Sequence, residues 1–168
     1  MATREQMLRS SLTIRKTITR AAVQKWAEKT LPKYATICGS YRRNLPVLND
    51  IDIMVPMEHF DDLLVRLNVL VYMRGPVRCS GFVRVGRAYV QVDVCAYVPA
   101  SYACMLMYFT GSRAFNIKMR AIAKKKGFCL NQNGLYKLSA PDKPLKVPDE
   151  LTIFNKLKQP YIRAENRA

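Results

Sequence analysis

The chain has 168 residues, enough for one sizeable core or two small lobes sharing one, and a single compact unit is expected. Its 28 Lys and Arg against 12 Asp and Glu leave a net charge of +16, the footprint of a protein that meets a polyanion, with nucleic acid the leading partner. A membrane is the weaker reading, because the basic residues are spread along the whole chain and the most apolar run, YACMLMYF at 102–109, is far too short to cross a bilayer.

MATREQMLRSSLTIRK at the start has no continuous apolar segment, so no secretory leader is read and an intracellular protein is expected. Ile14, Ile18, Ala21, Ala22 and Trp26 recur at helical spacing, predicting a helix that Pro32 stops. YATIC at 34–38 reads as a short strand entering a Gly39-Ser40 turn. IDIMV at 51–55 reads as a second strand, and EHFDDLLVRLNVL after Pro56 as a helix. FVRV at 82–85 and YVQVDVCAYV at 89–98 read as a hairpin joined through Gly86-Arg87-Ala88. The first lobe thus mixes helices with about four strands. After Pro99 come an apolar helix near 101–108, a basic helix near 113–126 ending at Gly127, and a short strand near LYKL. The Pro-rich stretch PDKPLKVP is expected as a loop, and a last helix near 149–158. Five cysteines without a C-x-x-C pair, and His59 as the one histidine, argue against zinc. Reduced, mostly buried thiols are expected, with a Cys79–Cys95 pairing left open.

Strand geometry places residues i and i+2 on one face, so Asp50 and Asp52 point together while Ile51 and Ile53 turn to the core. The same alternation puts Tyr89, Gln91 and Asp93 on one face of the later strand, and Val90, Val92 and Val94 on the other. If the strands are neighbours, three carboxylates converge, and such a cluster is costly without a positive partner. Hard oxygen ligands suit Mg²⁺, and two such ions would clamp the attacking and leaving oxygens of a phosphoryl displacement. A lone D-x-D is more often a chance pair on a solvated edge. Here it follows Gly39, which allows close backbone approach to a phosphate, Ser40 with its hydroxyl, and Arg42 or Arg43, which can pair with anionic oxygens.

G-S-Y-R-R followed by N-D-I-D-I resembles the nucleotidyltransferase signature of the family X DNA polymerases, the polymerase beta relatives. YFTGSRAFNIKMRAIAKKKGF at 108–128 resembles that family's Y-F-T-G-S-x-x-F-N-x-x-M-R segment. The fold class implied is α+β: a nucleotidyltransferase palm over residues 1–98, with a mixed β-sheet and helices, then a small α/β C-terminal lobe over 99–168 for nucleotide selection. The resemblance implies Asp50, Asp52 and Asp93 as ligands of two Mg²⁺ ions, for which Mn²⁺ can substitute, with Asp93 also accepting the proton of the primer 3′-hydroxyl. It places Gly39, Ser40 and Arg43 at the triphosphate, Asn49 in a backbone contact, and Arg9, thirty residues before Gly39, as another triphosphate arginine. Tyr108, Phe109 and Gly111 match positions that pack against the sugar, Asn116 the contact to the nascent base pair, and Arg113 a position facing the incoming base. Arg120 matches the contact to the template strand, and Lys124, Lys125 and Lys126 extend a DNA-facing or merely solvated helix end. A cis Gly111-Ser112 peptide is implied as well.

Three departures stand out. Gln91 occupies a place where the family usually has an arginine, Arg113 one that is often small or acidic, and Ala164 in YIRAENR replaces a proline of the closing Y-R-x-P-x-x-R. No N-terminal lyase domain is expected, and the chain looks like the minimal form known among large DNA viruses. The reading is a monomeric polymerase that takes gapped or primer-template DNA and a dNTP, filling short gaps in repair. The rivals are a template-independent or other nucleotidyltransferase on the same palm, and a non-catalytic DNA-binding protein.

Overall fold

The computed structural model describes residues 3–167, and the chain divides into two compact units, Met1–Ala96 and Tyr97–Ala168. Each has its own buried cluster, so the expected single core is two.

In the first unit, α1 (Arg4–Ser11) starts from a capping box between Thr3 and Gln6 and buries none of its residues. The helix expected from Ile14 onward begins later. Ile14 bridges Tyr89 instead, and Ile18 belongs to β1 (Ile18–Thr19), paired with Leu48. The cause is local: Thr13, Ile14, Thr17, Ile18 and Thr19 are β-branched and favour extended backbone. The Thr19 hydroxyl then caps α2 (Arg20–Thr30), accepting from the Ala22 amide at 3.3 Å. Helix α2 turns Val23 and Trp26 inward and ends before Pro32.

Strand β2 (Thr36–Ile37) leads into one turn of helix, α3 (Gly39–Arg42), where a simple turn was expected. Then β3 (Val47–Leu48) pairs antiparallel with β1, and β4 (Ile51–Pro56) pairs antiparallel with β2. Helix α4 (Phe60–Arg66) is shorter than expected, because Asn68 adopts the left-handed region at φ +47° and ends it. The tail of the expected helix becomes β5 (Leu70–Arg74), followed by β6 (Arg78–Val85) and β7 (Ala88–Tyr97). The mixed sheet therefore has five strands, in the order β2-β4-β7-β6-β5. One face of β7 buries Val90, Val92 and Val94 completely, packed with Ile51, Ile53, Val55 and Leu63. Cys79 and Cys95 are free thiols on opposite faces of neighbouring strands, since Cys79 stands opposite Val94 and Cys95 opposite Arg78.

In the second unit, α5 (Tyr102–Thr110) and α6 (Arg113–Lys125) precede a three-stranded sheet of β8 (Phe128–Asn131), β9 (Gly134–Lys137) and β10 (Ala140–Pro144), ordered β10-β9-β8. Strand β10 comes from the stretch expected as a loop. Its prolines are tolerated because it is an edge strand whose register breaks between Ala140 and Pro144. Phe115, Met119 and Ala123 recur every four residues on α6 and pack on Ala103, Met107 and Leu135. Asp149 caps the last helix, α7 (Glu150–Lys156), accepting from the Thr152 amide at 2.7 Å.

Candidate active site

Sheet order brings the acids of the first unit near one another. Asp50 sits just before β4, Asp52 lies within it between fully buried Ile51 and Ile53, and Asp93 is on the adjacent β7. The β2–β4 pairing carries the Cys38 amide to the Asp52 carbonyl at 2.8 Å, which seats α3 against the acid. Gly39 is fixed by that closeness: it adopts φ +51°, and a β-carbon there would lie 1.8 Å from Asp52 Oδ2. The glycine thus serves the carboxylate, beyond the phosphate approach read from the sequence. Arg20 holds the other side of α3, donating to the Tyr41 carbonyl and stacking 4.0 Å over the Tyr41 ring.

The electrostatics are unfavourable for the acids by themselves. Burial, then the charges of Asp50 and Asp93, push Asp52 up from 3.8 to about 7, against the opposing pull of Arg43 and Arg78. Asp50 is also raised, first by burial and then by Asp93, with Arg43 again opposing. Asp93 is 9% exposed; it accepts a hydrogen bond from Ser80 Oγ and lies 3.7 Å from Arg78 Nη2. Among the described residues no three carboxylate, imidazole or thiol groups form a ready-made metal-binding cluster. Asp93 raises the proton affinity of Asp50, and both raise that of Asp52, while Asp93 itself is engaged by Ser80 and Arg78. Chemically the set fits a hard divalent cation, since its donors are carboxylate oxygens and a cation would relieve the penalty on Asp50 and Asp52.

Ser80 and Arg78 escaped the sequence reading. They stand on β6, Ser80 directly opposite Asp93. The signal was available: the hairpin turn is Gly86-Arg87, and counting back equally along both strands from Val85 and Ala88 reaches Ser80 and Asp93. Reading the turn one residue too long, and starting β6 at Phe82, hid the pair. Tyr72 bonds to the same Ser80 from β5, where the register shifts between Val71 and Met73, and its phenol is raised by burial and then by Asp93.

Arg9 reaches the same face of β7. Its Nη2 donates to Gln91 Oε1 at 3.1 Å, its Nε pairs with Glu5 at 2.8 Å, and its guanidinium lies 5.1 Å over Phe82. An arginine from α1 therefore meets the glutamine that replaces the family's usual arginine. Ser40 and Arg43 are half-buried on and just after α3, and Asn49 is exposed.

The second unit gathers a different set. Asn116 Nδ2 donates to the Tyr108 carbonyl at 2.7 Å, and the Arg120 guanidinium lies 5.3 Å over the Tyr108 ring. Phe109 is half-buried beside them in sequence. Gly111 is buried at φ +67°, and the Gly111-Ser112 peptide is cis, as the resemblance implied. Ser112 Oγ caps α6 through the Phe115 amide at 3.2 Å, and its own amide donates to the Arg167 carbonyl at 3.3 Å. Arg113, Lys124, Lys125 and Lys126 are exposed at the two ends of α6.

Residues 105–168 match the family model of the DNA polymerase beta thumb. The chain is 31% identical over 137 residues to the Repair DNA polymerase X of African swine fever virus (isolate Tick/Malawi/Lil 20-1/1983), covering 77% of this chain and 78% of that one. DNA polymerase lambda of Rattus norvegicus is 29% identical over 154 residues, covering 74% of this chain and 27% of that protein. Among solved structures, polymerase beta of Leishmania infantum in a ternary P/T complex superimposes with a TM-score of 0.81 at 26% identity, over 99% of this chain and 83% of that one.

Proposed function

This chain belongs to DNA polymerase family X, and from that premise we propose that it extends a primer 3′ end on gapped or primer-template DNA, with short-gap repair synthesis as its role. The observation that carries the site assignment is Asp52, held near 7 by burial and by Asp50 and Asp93. Such a group is unfavourable in the protein alone and is expected where a ligand completes the charge balance.

Two Mg²⁺ ions held by Asp50 and Asp52, one of them also by Asp93, would neutralise the triphosphate and polarise the 3′-hydroxyl when bound. Asp93 takes the proton of that hydroxyl on a carboxylate oxygen, with Ser80 and Arg78 fixing its orientation. Ser40 and the backbone at Gly39 hold phosphate oxygens, Arg43 neutralises them, and Asn49 contributes a backbone contact. Arg9 reaches a triphosphate only on leaving Gln91, and otherwise steadies the face of β7 that carries Asp93. In the second unit, Tyr108, Phe109 and Gly111 pack against the sugar, and Arg113 and Asn116 meet the nascent pair. Arg120 meets the template strand, and Lys124, Lys125 and Lys126 add phosphate contacts. The units correspond to a palm and a nucleotide-selection lobe. The enzyme acts as a monomer, and the viral relative supports a virus-encoded origin. Among the described residues no helix is long and apolar enough to cross a membrane.

Primer extension on a one-nucleotide gap, with each dNTP against each template base, tests this reading. Template-dependent insertion that requires Mg²⁺ is expected. Insertion indifferent to the template base would favour a template-independent transferase, and none at all, with DNA still bound, a non-catalytic DNA-binding protein.

A further inference from the structure

In the first unit, α2, the β1–β3 pair and the β6–β7 turn enclose a cavity of about 780 Å³ to which none of the three site aspartates contributes. That volume lies within the range of ligand sites. Ile18, Ala22, Trp26, Val85 and the 50% exposed Val47 give its lining a mainly apolar character, with Thr17, Thr19 and Thr30 among them. Arg15, Lys25, Lys29 and Arg87 stand around it, all exposed, and no acidic residue lines it. Glu28, on the same helix, accepts instead from Gln24 at 3.1 Å.

Four cations around an apolar hollow select a ligand that is anionic and carries an apolar part. Nucleic acid meets the first condition, but a duplex binds through its phosphates and offers no apolar part to fill a hollow, and the bases of a single strand bind by stacking on open aromatic faces. Trp26 is the one aromatic residue in the lining and is only 9% exposed, so it presents no such face. A second copy of this chain, at a net charge of +16, is repelled. A peptide with carboxylates flanking a large apolar side chain satisfies both conditions, its charges on the rim and its anchor in the hollow. We propose that this cavity docks an acidic segment of a partner protein, anchored by a bulky apolar side chain.

Trp26 is the sole tryptophan of the chain, so its fluorescence reports on the cavity directly. The full chain is titrated with a synthetic peptide of six aspartates around a central Leu-Phe pair, and with the same peptide carrying Ser-Ser. A saturable shift in Trp26 emission is expected for the first, with affinity at least tenfold weaker for the second. Lys25→Glu combined with Lys29→Glu, and separately Val47→Asp, are each expected to weaken the first peptide at least tenfold while leaving primer extension unchanged. No response to the Leu-Phe peptide, or equal binding of the Ser-Ser peptide, overturns the proposal. A Trp26 shift as large with oligothymidylate also overturns it and assigns the cavity to nucleic acid.

Discussion

Arg167 and Glu150 in the second unit, and the three aspartates in the first, are all charges withdrawn from water, but their surroundings differ. Arg167, 1% exposed, meets Glu150, 6% exposed, at 2.6 Å; its Nε donates to the Ile162 carbonyl at 3.0 Å, and its guanidinium lies over the rings of Phe115, Phe154 and Tyr161. Arg167 Nη2 alone, among buried side-chain atoms of the described residues, has no hydrogen-bond partner. Asp50 and Asp52, by contrast, are raised by burial and by their own kind, and Arg43 and Arg78 oppose this without cancelling it. Charge matched within the chain builds scaffold. Charge left unbalanced marks where something from outside belongs.

The largest effect expected from breaking this contrast is on turnover. Asp93→Asn keeps the side-chain size and the Val90, Val92, Val94 core face, so folding survives. Single-turnover insertion should fall by about 10³ or more, with dNTP affinity nearly intact, if the proposed proton acceptor is lost. Asp52→Ala should lose both. Near wild-type insertion by Asp93→Asn would show that the carboxylate site is misassigned.

On the scaffold side, Arg167→Ala strands Glu150 in the interior and should destabilise by about 3–5 kcal/mol in chemical denaturation. Arg167→Met with Glu150→Leu should recover most of that loss, since it removes both charges and keeps apolar volume. A double variant as unstable as the single would show that packing, not charge matching, holds this end of the chain.

The aspartate cluster should behave oppositely. A carboxyl near 7 when folded and 3.8 when unfolded binds more protons in the folded state. The contribution of Asp52 to stability without divalent cation is therefore full below about pH 4 and is lost as pH rises through about 7, by up to about 4 kcal/mol. Asp52→Asn should flatten this slope and stabilise the protein at pH 8, and Mg²⁺ should stabilise wild type but not the variant. Denaturation curves from pH 4 to 8, with chelator or Mg²⁺, read all three; an Asp52→Asn slope identical to that of wild type would contradict the raised Asp52 carboxyl. A smaller effect sharpens the assignment of the second unit. Arg120→Ala should lower templated insertion by about tenfold to a hundredfold while dNTP affinity changes little. Equal losses in both would make Arg120 a general electrostatic residue.

Much of the site was legible because D-x-D and the alternating YVQVDV run obey a two-residue period, and the buried Val90, Val92 and Val94 follow it. Less legible was whatever depended on chain reversal. Asn68 at positive φ converts an apolar helical run into β5, and the two-residue Gly86-Arg87 turn decides that Ser80, rather than a neighbour, meets Asp93. The pairing of Arg167 with Glu150 joins residues from separate elements and has no local signature. Neither does the approach of Arg9 to Gln91, 82 positions apart.

Gly39 and Asp52 form a single unit of inheritance. Because a β-carbon at 39 would sit 1.8 Å from the Asp52 carboxylate, no side chain can enter at 39 while the acid remains in place. A descendant that abandons catalysis can lose the acid first, yet position 39 stays at φ +51°, where any side chain is strained. The reverse order requires the Asp52 carboxylate to swing out of its present position. A bulky residue at 39 beside a retained aspartate at 52 would therefore mark a rebuilt loop, whereas loss of both would mark a retired enzyme.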